Sequence, residues 1–512
     1  MENAAKTPDK AALIRPGMEE ISYGQLRRHI IEARNYLIRA GVHPGEYVIL
    51  SADRSFSFVY AYLAIHSIGA VAVPLDPHTP APRLKYICDL LLPKAGFWIS
   101  GDHGMTDITV FKESGEVLAK PLGARTSCPQ ILEKCGQNAR VHCEAGSFAR
   151  TSDNDDFGKD VPVDRNMPAD VMFTSGTTAL PKGVCLSHNN LAYAVNNINM
   201  FIGNCSDDVE INPMPLSHSF GLARLRCTLY AGATQVIIDG VMRHKALFET
   251  MDEYKATGIG MVGTAWAVLK RLSGDAIGRF KDQLCYMELG SAPIPAEEKA
   301  HLAALLPNTK VCMHYGLTEA SRAVFQEFHE RSDTLSTIGR PSPLAAVKIY
   351  SESGGCLPDG EIGEICVKGG MVAKGYLNVD NETAFWGDYF RTGDLGYRRS
   401  DGYIVLTGRL KEIINVGGNK VSLVEVEQAL SVLPDIVDAA CIGIPDTMFG
   451  EVVAAFVVSS YGEPYTVGKV RELLSGILES HQMPCHLIYI DEIPKTVSGK
   501  VRRSELKAGL PA

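Results

Sequence analysis

The stretch Met172–Ser187 reads MFTSGTTALPKGVCLS. Val171-Met172-Phe173 is a short apolar run and predicts a strand. Thr174, Ser175, Gly176, Thr177 and Thr178 follow, all small and nearly all hydroxylated. Then come Pro181-Lys182-Gly183 and a second apolar run, Val184-Cys185-Leu186. Small residues let backbone N–H groups approach phosphate oxygens, hydroxyls add donors, and a lysine adds a mobile positive charge. The pattern is not a Walker A loop, because Lys182 is followed by Gly183 where that motif needs Ser or Thr. A polar hairpin turn is the other reading of the same residues, and motifs further along the chain decide between them.

With 512 residues the chain is too long for one hydrophobic core and predicts two or more domains. A composition of 46% hydrophobic and 21% charged residues reads as globular. The formal charge of −9 argues against nonspecific nucleic-acid binding. Thirteen cysteines, scattered and without a CxxC pair, suit reduced, mostly buried thiols in a cytoplasmic protein. Several of them, such as Cys185, Cys366 and Cys441, fall in predicted strands. The N-terminus MENAAKTPDKAAL has no signal-peptide core. The longest apolar run, Phe58–Leu75, contains His66, Ser67, Gly69 and Pro74. It fits a buried helix, a break at Gly69 and a short strand Ala70–Val73 better than a membrane span.

Helical and strand patterns alternate through the first four hundred or so residues, predicting α/β layers. Ser22-Tyr23-Gly24-Gln25 is a capping box that opens a helix to about Ala40, followed by a strand at Tyr47–Leu50. Residues 143–168 read as an acidic surface loop. Asp401-Gly402, flanked by apolar and aromatic residues, predicts a two-residue hairpin turn, and that register sets Asp394 opposite Arg409. Gly258–Gly263 spells GxGxxG, but the preceding residues, Ala246–Lys255, look helical and Asp282 sits in a polar helical context. A dinucleotide site needs a strand first and an acid at the next strand's end, so an oxidoreductase is set aside.

Five further strings complete the picture: PLSHSFGL (215–222), YGLTE (315–319), YFRTGDLG (389–396), GRLKEIINVGGNKVSLVEVE (408–427) and PKTVSGKVRR (494–503). With TSGTTALPKG (174–183) they span the chain. It resembles the adenylate-forming superfamily of acyl-CoA synthetases, peptide-synthetase adenylation domains and luciferases. One departure is Ala179, where the family usually has glycine. The resemblance implies that Thr174, Ser175, Gly176, Thr177, Thr178 and Lys182 hold the β- and γ-phosphates of ATP. It places Ser291-Ala292-Pro293 at the adenine edge and stacks Tyr315 on adenine beside Gly316. Thr318 reaches the α-phosphate, Glu319 serves Mg²⁺, and Asp394 binds the ribose hydroxyls with help from Arg409. Lys500 bridges the acyl carboxylate and α-phosphate. His218 stands at the mouth of the acyl pocket, and Gly417 and Gly418 admit a pantetheine arm. On the bare residues, Thr318 and Glu319 read as a helix cap and an exposed acid, and Asp394–Arg409 as a cross-strand ion pair. Trp266, Val262, Phe220 and Leu222 suit pocket walls or core equally. Arg224 and Arg226 read more readily as structural or solvated than as partners of a substrate tail.

The fold implied is α/β. A large N-terminal region (1–408) has layered sheets with helices and a small β-barrel-like part. A small mobile C-terminal α+β domain (409–512) turns on a hinge near Lys411. The activity implied is ATP- and Mg²⁺-dependent conversion of a carboxylic acid to an acyl-adenylate with release of pyrophosphate, then transfer to a thiol, CoA first. A carrier protein's phosphopantetheine acting in trans, or an amine acceptor, remains open. A luciferase-like oxygenase and a regulator that has lost catalysis are weaker alternatives; Lys500 and Glu319 argue against the last. The expected partner is a small-molecule acid, with no nucleic acid and no membrane span, in a monomer or homodimer.

Overall fold

The computed structural model describes residues 2–91, 163–174, 181–460, 464–496 and 500–508, with short strands at 95–97, 110–111 and 117–119. The phosphate-loop candidates Ser175, Gly176, Thr177 and Thr178, together with Ala179, lie outside the described residues, as does the acidic stretch up to 162.

Four larger sheets organise the chain. A six-stranded sheet carries the stretch that opened the analysis: strands Pro168–Thr174 and Lys182–Ser187 pair antiparallel, with Thr174 opposite Lys182. Val171 and Val184 are fully buried, so alternate side chains drive this hairpin into the core. Tyr47–Ser51 and Val71–Leu75 run parallel beside it. A nine-stranded sheet holds the parallel strands Val209–Asn212, Gly258–Val262, Tyr286–Gly290 and Lys310–Tyr315 at its centre. A five-stranded antiparallel sheet, including Gly363–Gly369, Tyr389–Arg398 and Ile404–Arg409, supplies the half-barrel. From Ile413 onward a separate sheet builds its own apolar core around Val421, Val426, Cys441 and Val453.

Local signals predict several elements well. The helix Tyr23–Arg39 starts at Ser22 with both arms of the capping box formed: Gln25 N donates to Ser22 Oγ (3.3 Å) and Ser22 N to Gln25 Oε1 (2.8 Å). The long apolar run becomes the helix Phe56–Ser67, a left-handed Gly69 and the strand Val71–Leu75. Among the described residues no helix is long and apolar enough to cross a membrane.

Three expectations are corrected. The Asp401-Gly402 turn is wider than two residues: Arg398 pairs with Ile404, and Arg399 N donates to Tyr403 O. Gly402 takes the positive φ (87°) that such a loop requires. A bulge between Leu395 and Gly396 then shifts the ladder by one residue, and Asp394 meets Arg409 after all. Asp282 sits in a turn after the short 3₁₀ segment Ala276–Phe280, not in a helix. Of the ten described cysteines, all free, only Cys227, Cys312, Cys366 and Cys441 are buried.

The GxGxxG string is a strand, Gly258–Val262, with Gly263 opening the next helix. Its glycines make room for neighbours. A Cβ on Gly258 would lie 2.0 Å from the Tyr286 ring, and one on Gly260 3.4 Å from Arg224 Cγ. The string serves packing.

Candidate active site

Lys182 opens the second strand of the quoted hairpin, and its exposed ammonium lies 4.9 Å from the centroid of Tyr376. Tyr376 belongs to the two-residue strand Gly375–Tyr376, which pairs with Lys182–Ser187. Asn381 holds that strand, its Oδ1 accepting from Tyr376 N (2.8 Å). Tyr376 Oη donates to Glu319 Oε1 at 2.8 Å. Burial, then the Glu319 charge, pushes the Tyr376 phenol well up, so it stays a donor. Glu319 is 8% exposed, and its backbone O accepts from Ala373 N. No helix begins at Thr318, and Glu319 is buried, so the helix-cap and exposed-acid reading fails. Gly316 has no freedom to be anything larger: a Cβ there would sit 2.6 Å from Arg322 N.

A second cluster flanks it. Asp394, 2% exposed, accepts from Arg409 Nε at Oδ1 (2.5 Å) and from Tyr315 Oη at Oδ2 (2.6 Å). Its own N donates to Thr392 Oγ1 (3.0 Å). Burial and the neighbouring Asp394 charge raise the Tyr315 phenol far above its usual range. The ion pair sits in a pocket of aromatic and hydroxyl groups, unlike a solvated cross-strand pair. Tyr315 ends its strand, and beside it the strand Tyr286–Gly290 ends in a turn in which Ala292 N donates to Gly290 O (2.8 Å). Ser291, at its apex, has φ +67°. A γ-turn of this hand is rare and strained for a residue with a Cβ, and strain of this kind gathers where a ligand is held. Ser291 and Pro293 are exposed, and Ala292 is buried beneath them.

Lys500 comes from the far end of the chain. Thr496 N donates to Lys500 O (2.8 Å) and Lys500 N to Thr496 Oγ1 (3.1 Å), tying the lysine's backbone to Thr496. Lys500 is exposed. Partial desolvation, and then Arg409, hold its ammonium below the usual lysine range, against the pull of Glu319, Asp394 and Glu412. His218 shares this environment. It precedes helix Ser219–Ala231 as its N-cap residue, without a side-chain capping bond. Burial lowers its pKa; Asp76 opposes, and Arg83 and Lys500 add to the fall, so the ring is neutral at pH 7. Gly417 and Gly418 form the exposed turn of the hairpin Ile413–Ser422, with φ +58° and +91°, values suited to glycine.

The structure therefore brings Lys182, Tyr315, Glu319, Asp394, Arg409, His218 and Lys500 to one region. Gly417 and Gly418 turn outward instead. Trp266, Val262, Phe220 and Leu222 are all buried. Arg224 is fully buried, ion-paired with Glu210 and with Glu288 (3.2 Å), and Arg226 pairs with Asp170 (3.0 Å). Neither faces a cleft. Sequence reasoning missed Tyr376; its only signal was a Gly-Tyr pair near Asn381.

Comparison with known proteins agrees with this fold. A family model described as AMP-binding enzyme matches residues 1–377, and one described as AMP-binding enzyme C-terminal domain matches 425–500. Oxalate–CoA ligase of Arabidopsis thaliana is 28% identical, covering 98% of this chain and 96% of its own. 4-Coumarate–CoA ligase CCL1 of Humulus lupulus is 29% identical over 99% and 92%. Among solved structures, ATP-bound MatB of Rhodopseudomonas palustris superposes with a TM-score of 0.82 at 25% identity, covering 98% and 95%. The amide bond synthetase McbA of Marinactinospora thermotolerans gives 0.81 at 25% identity, covering 99% and 98%. Fold and matches define an ATP-dependent, acid-activating ligase. The chain belongs to the AMP-binding enzyme family, within the adenylate-forming superfamily. The two relatives are named as CoA ligases, and the MatB structure is of the ATP-bound enzyme.

Proposed function

We propose that this chain adenylates a small-molecule carboxylic acid in the cleft around Glu319, Asp394 and Lys500, and then passes the acyl group to CoA. The observation that carries the reading is the convergence of Lys500 with Arg409, Asp394 and Glu319 from widely separated motifs. A carboxylate must approach a polyphosphate, negative toward negative, so the site has to supply positive charge and donors where charge builds at the α-phosphate. Lys500 bridges the two anions, and Thr318, whose hydroxyl has no hydrogen-bond partner among the described residues, donates to the same phosphate. Thr174, Ser175, Gly176, Thr177, Thr178 and Lys182 hold the leaving pyrophosphate. Asp394, oriented by Arg409 and Tyr315, receives the ribose hydroxyls. The Tyr315 ring and the Ser291-Ala292-Pro293 turn hold adenine.

The residues fit a hard cation. Tyr376 occupies one oxygen of Glu319, and among the described residues no three His, Cys, Asp or Glu side chains could hold a metal by themselves. A single carboxylate sharing the ion with phosphate oxygens suits Mg²⁺, which neutralises phosphate charge when bound.

We place the division between the two domains at residues 408 and 409 and the hinge at Lys411. The electrostatic influence of Arg409, Glu319 and Asp394 on Lys500, with Gly417 and Gly418 exposed in their hairpin turn, suits the adenylation orientation. Turning the small domain would exchange them and admit the thiol. The scattered cysteines suit a cytoplasmic enzyme. A similar structure is described as an amide bond synthetase, so an amine acceptor is one outcome of the test. The test is product analysis with an acid panel, with and without CoA. AMP and pyrophosphate are expected, and acyl-CoA when CoA is present; ADP and phosphate would overturn the reading. Acyl transfer only to an amine or a carrier protein would overturn CoA alone.

A further inference from the structure

We propose that the acid this enzyme accepts is compact, because Phe220 and His314 wall off the acyl site just inward of Ser291. The inference rests on the reading of His218 as the mouth of that site and of the Ser291 turn as the adenine edge beside it.

An acid whose carboxylate lies between Lys500 and His218 must send its remaining atoms inward, past the first turn of helix Ser219–Ala231 and the ends of the central strands. Phe220 lies two residues after His218, in that first turn. Gly290, just before Ser291, leaves a gap on the sheet, but the His314 ring fills it: a Cβ on Gly290 would lie 2.1 Å from His314 Cε1. Phe220 meets that ring edge-on, with centroids 4.7 Å apart. Phe220 also covers Gly260, where a Cβ would lie 3.5 Å from its Cε2. The space over Gly290 is thus filled by the His314 ring, and that over Gly260 is covered by Phe220 together with the Arg224 stem.

The wall is anchored. The Arg322 guanidinium lies 4.6 Å from the Phe220 centroid, and its Nε bonds Glu288 Oε1 at 3.0 Å. His314 Nδ1 lies 2.7 Å from the same oxygen. Glu288 is fully buried, so swinging His314 aside would strip a contact from a charge that has no water to replace it. The other way inward, toward helix Gly263–Ser273, is also packed. A Cβ on Gly263 would lie 2.9 Å from Ala292 O, and Trp266, 1% exposed, donates to Glu298 Oε1 at 2.8 Å.

Calorimetry on the full chain tests this with non-hydrolysable acyl-sulfamoyl adenosines. The series runs from acetyl through butanoyl and octanoyl to dodecanoyl, with cinnamoyl as the aryl case and ATP measured alongside. Affinity is expected to be highest for the shortest members and to fall by roughly tenfold or more with each step beyond the fit. Pyrophosphate release with the free acids should follow the same order. Phe220→Ala should move the optimum toward longer chains; Phe220→Leu, a smaller cut that keeps an apolar side chain, should move it less. Equal affinity of wild type for octanoyl and acetyl mimics, with normal ATP binding, would overturn the wall while leaving the adenylation reading intact. Folded variants with an unchanged length profile would likewise overturn it. Failure to bind ATP or any mimic would overturn the adenylation reading, and this inference with it.

Discussion

At the scale of single residues, the proposed chemistry rests on the charge of Lys500 and the hydroxyl donor of Tyr376. Lys500→Ala removes the cation between two anions and should slow adenylation on the order of a hundredfold or more. Supplied with acyl-adenylate and CoA, the variant should still make thioester at a substantial rate, since the proposed rotation withdraws the lysine for that step. Equal loss in both half-reactions, measured separately, would make Lys500 structural. Partial desolvation and Arg409 lower the Lys500 pKa, so raising pH neutralises it earlier than an ordinary lysine. Adenylation kcat/KM should therefore fall on the alkaline side, starting below the usual lysine range, while Lys500→Arg, however weak, should lack that limb. A limb that persists in Lys500→Arg belongs to another group. Tyr376→Phe leaves the hairpin pairing but removes a donor to a buried carboxylate. A hydrogen bond to a charged group contributes about 1.5–3 kcal/mol, so binding of Mg²⁺ and ATP should weaken roughly tenfold or more. Titration calorimetry checks this, and unchanged affinity would show that Glu319 is held by its backbone alone.

Elements show how the chain reaches that arrangement. The 389–409 hairpin could be read from Asp401-Gly402 as to its existence and the meeting of Asp394 with Arg409. Its loop was misread by a residue, and the bulge at Leu395/Gly396 cancelled the error. Turn chemistry is local and visible in two or three letters; a bulge answers to packing across the sheet and leaves no such mark. The helix Ser219–Ala231 is a related case. Its apolar residues suggested pocket walls or core, whereas its position is tied by Arg224 to Glu210 and Glu288, with Tyr286 Oη donating to Glu210 at 2.6 Å. Breaking a buried ion pair by removing one partner typically costs about 3–5 kcal/mol. Arg224→Met should accordingly lower unfolding free energy by about that amount, read by denaturant titration with a domain-resolved probe. A loss below about 1 kcal/mol would mean that the two glutamates find other partners or protons.

On the scale of the whole molecule, the proposed rotation gives the two half-reactions opposite placements of Lys500 and of the Gly417-Gly418 turn. The 3₁₀ segment Leu410–Glu412, directly after Arg409, joins the half-barrel to the last sheet. Domain rotation there needs large φ/ψ changes at one or two residues, and proline fixes φ near about −65°. Lys411→Pro should retain acid-dependent pyrophosphate exchange and lose most thioester formation. Retention of both by a normally folded variant would move the hinge elsewhere or dispense with it.

Sequence by itself determined the order of the motifs, the α/β layering, the quoted hairpin, the capped helix Tyr23–Arg39 and the existence of the 389–409 hairpin. These follow from neighbours in the chain: small residues before a lysine, a capping serine three residues from a glutamine, an Asp-Gly turn between strands. Only the tertiary structure decided that Tyr376 links Lys182 to Glu319 and that GxGxxG is a packing strand. It alone decided that Arg224 and Arg322 face buried glutamates, and that Phe220 and His314 fill the space over Gly260 and Gly290. Partners of this kind are chosen by which surfaces the whole chain buries against one another. Residues distant in sequence meet only then, and no local spacing records the meeting.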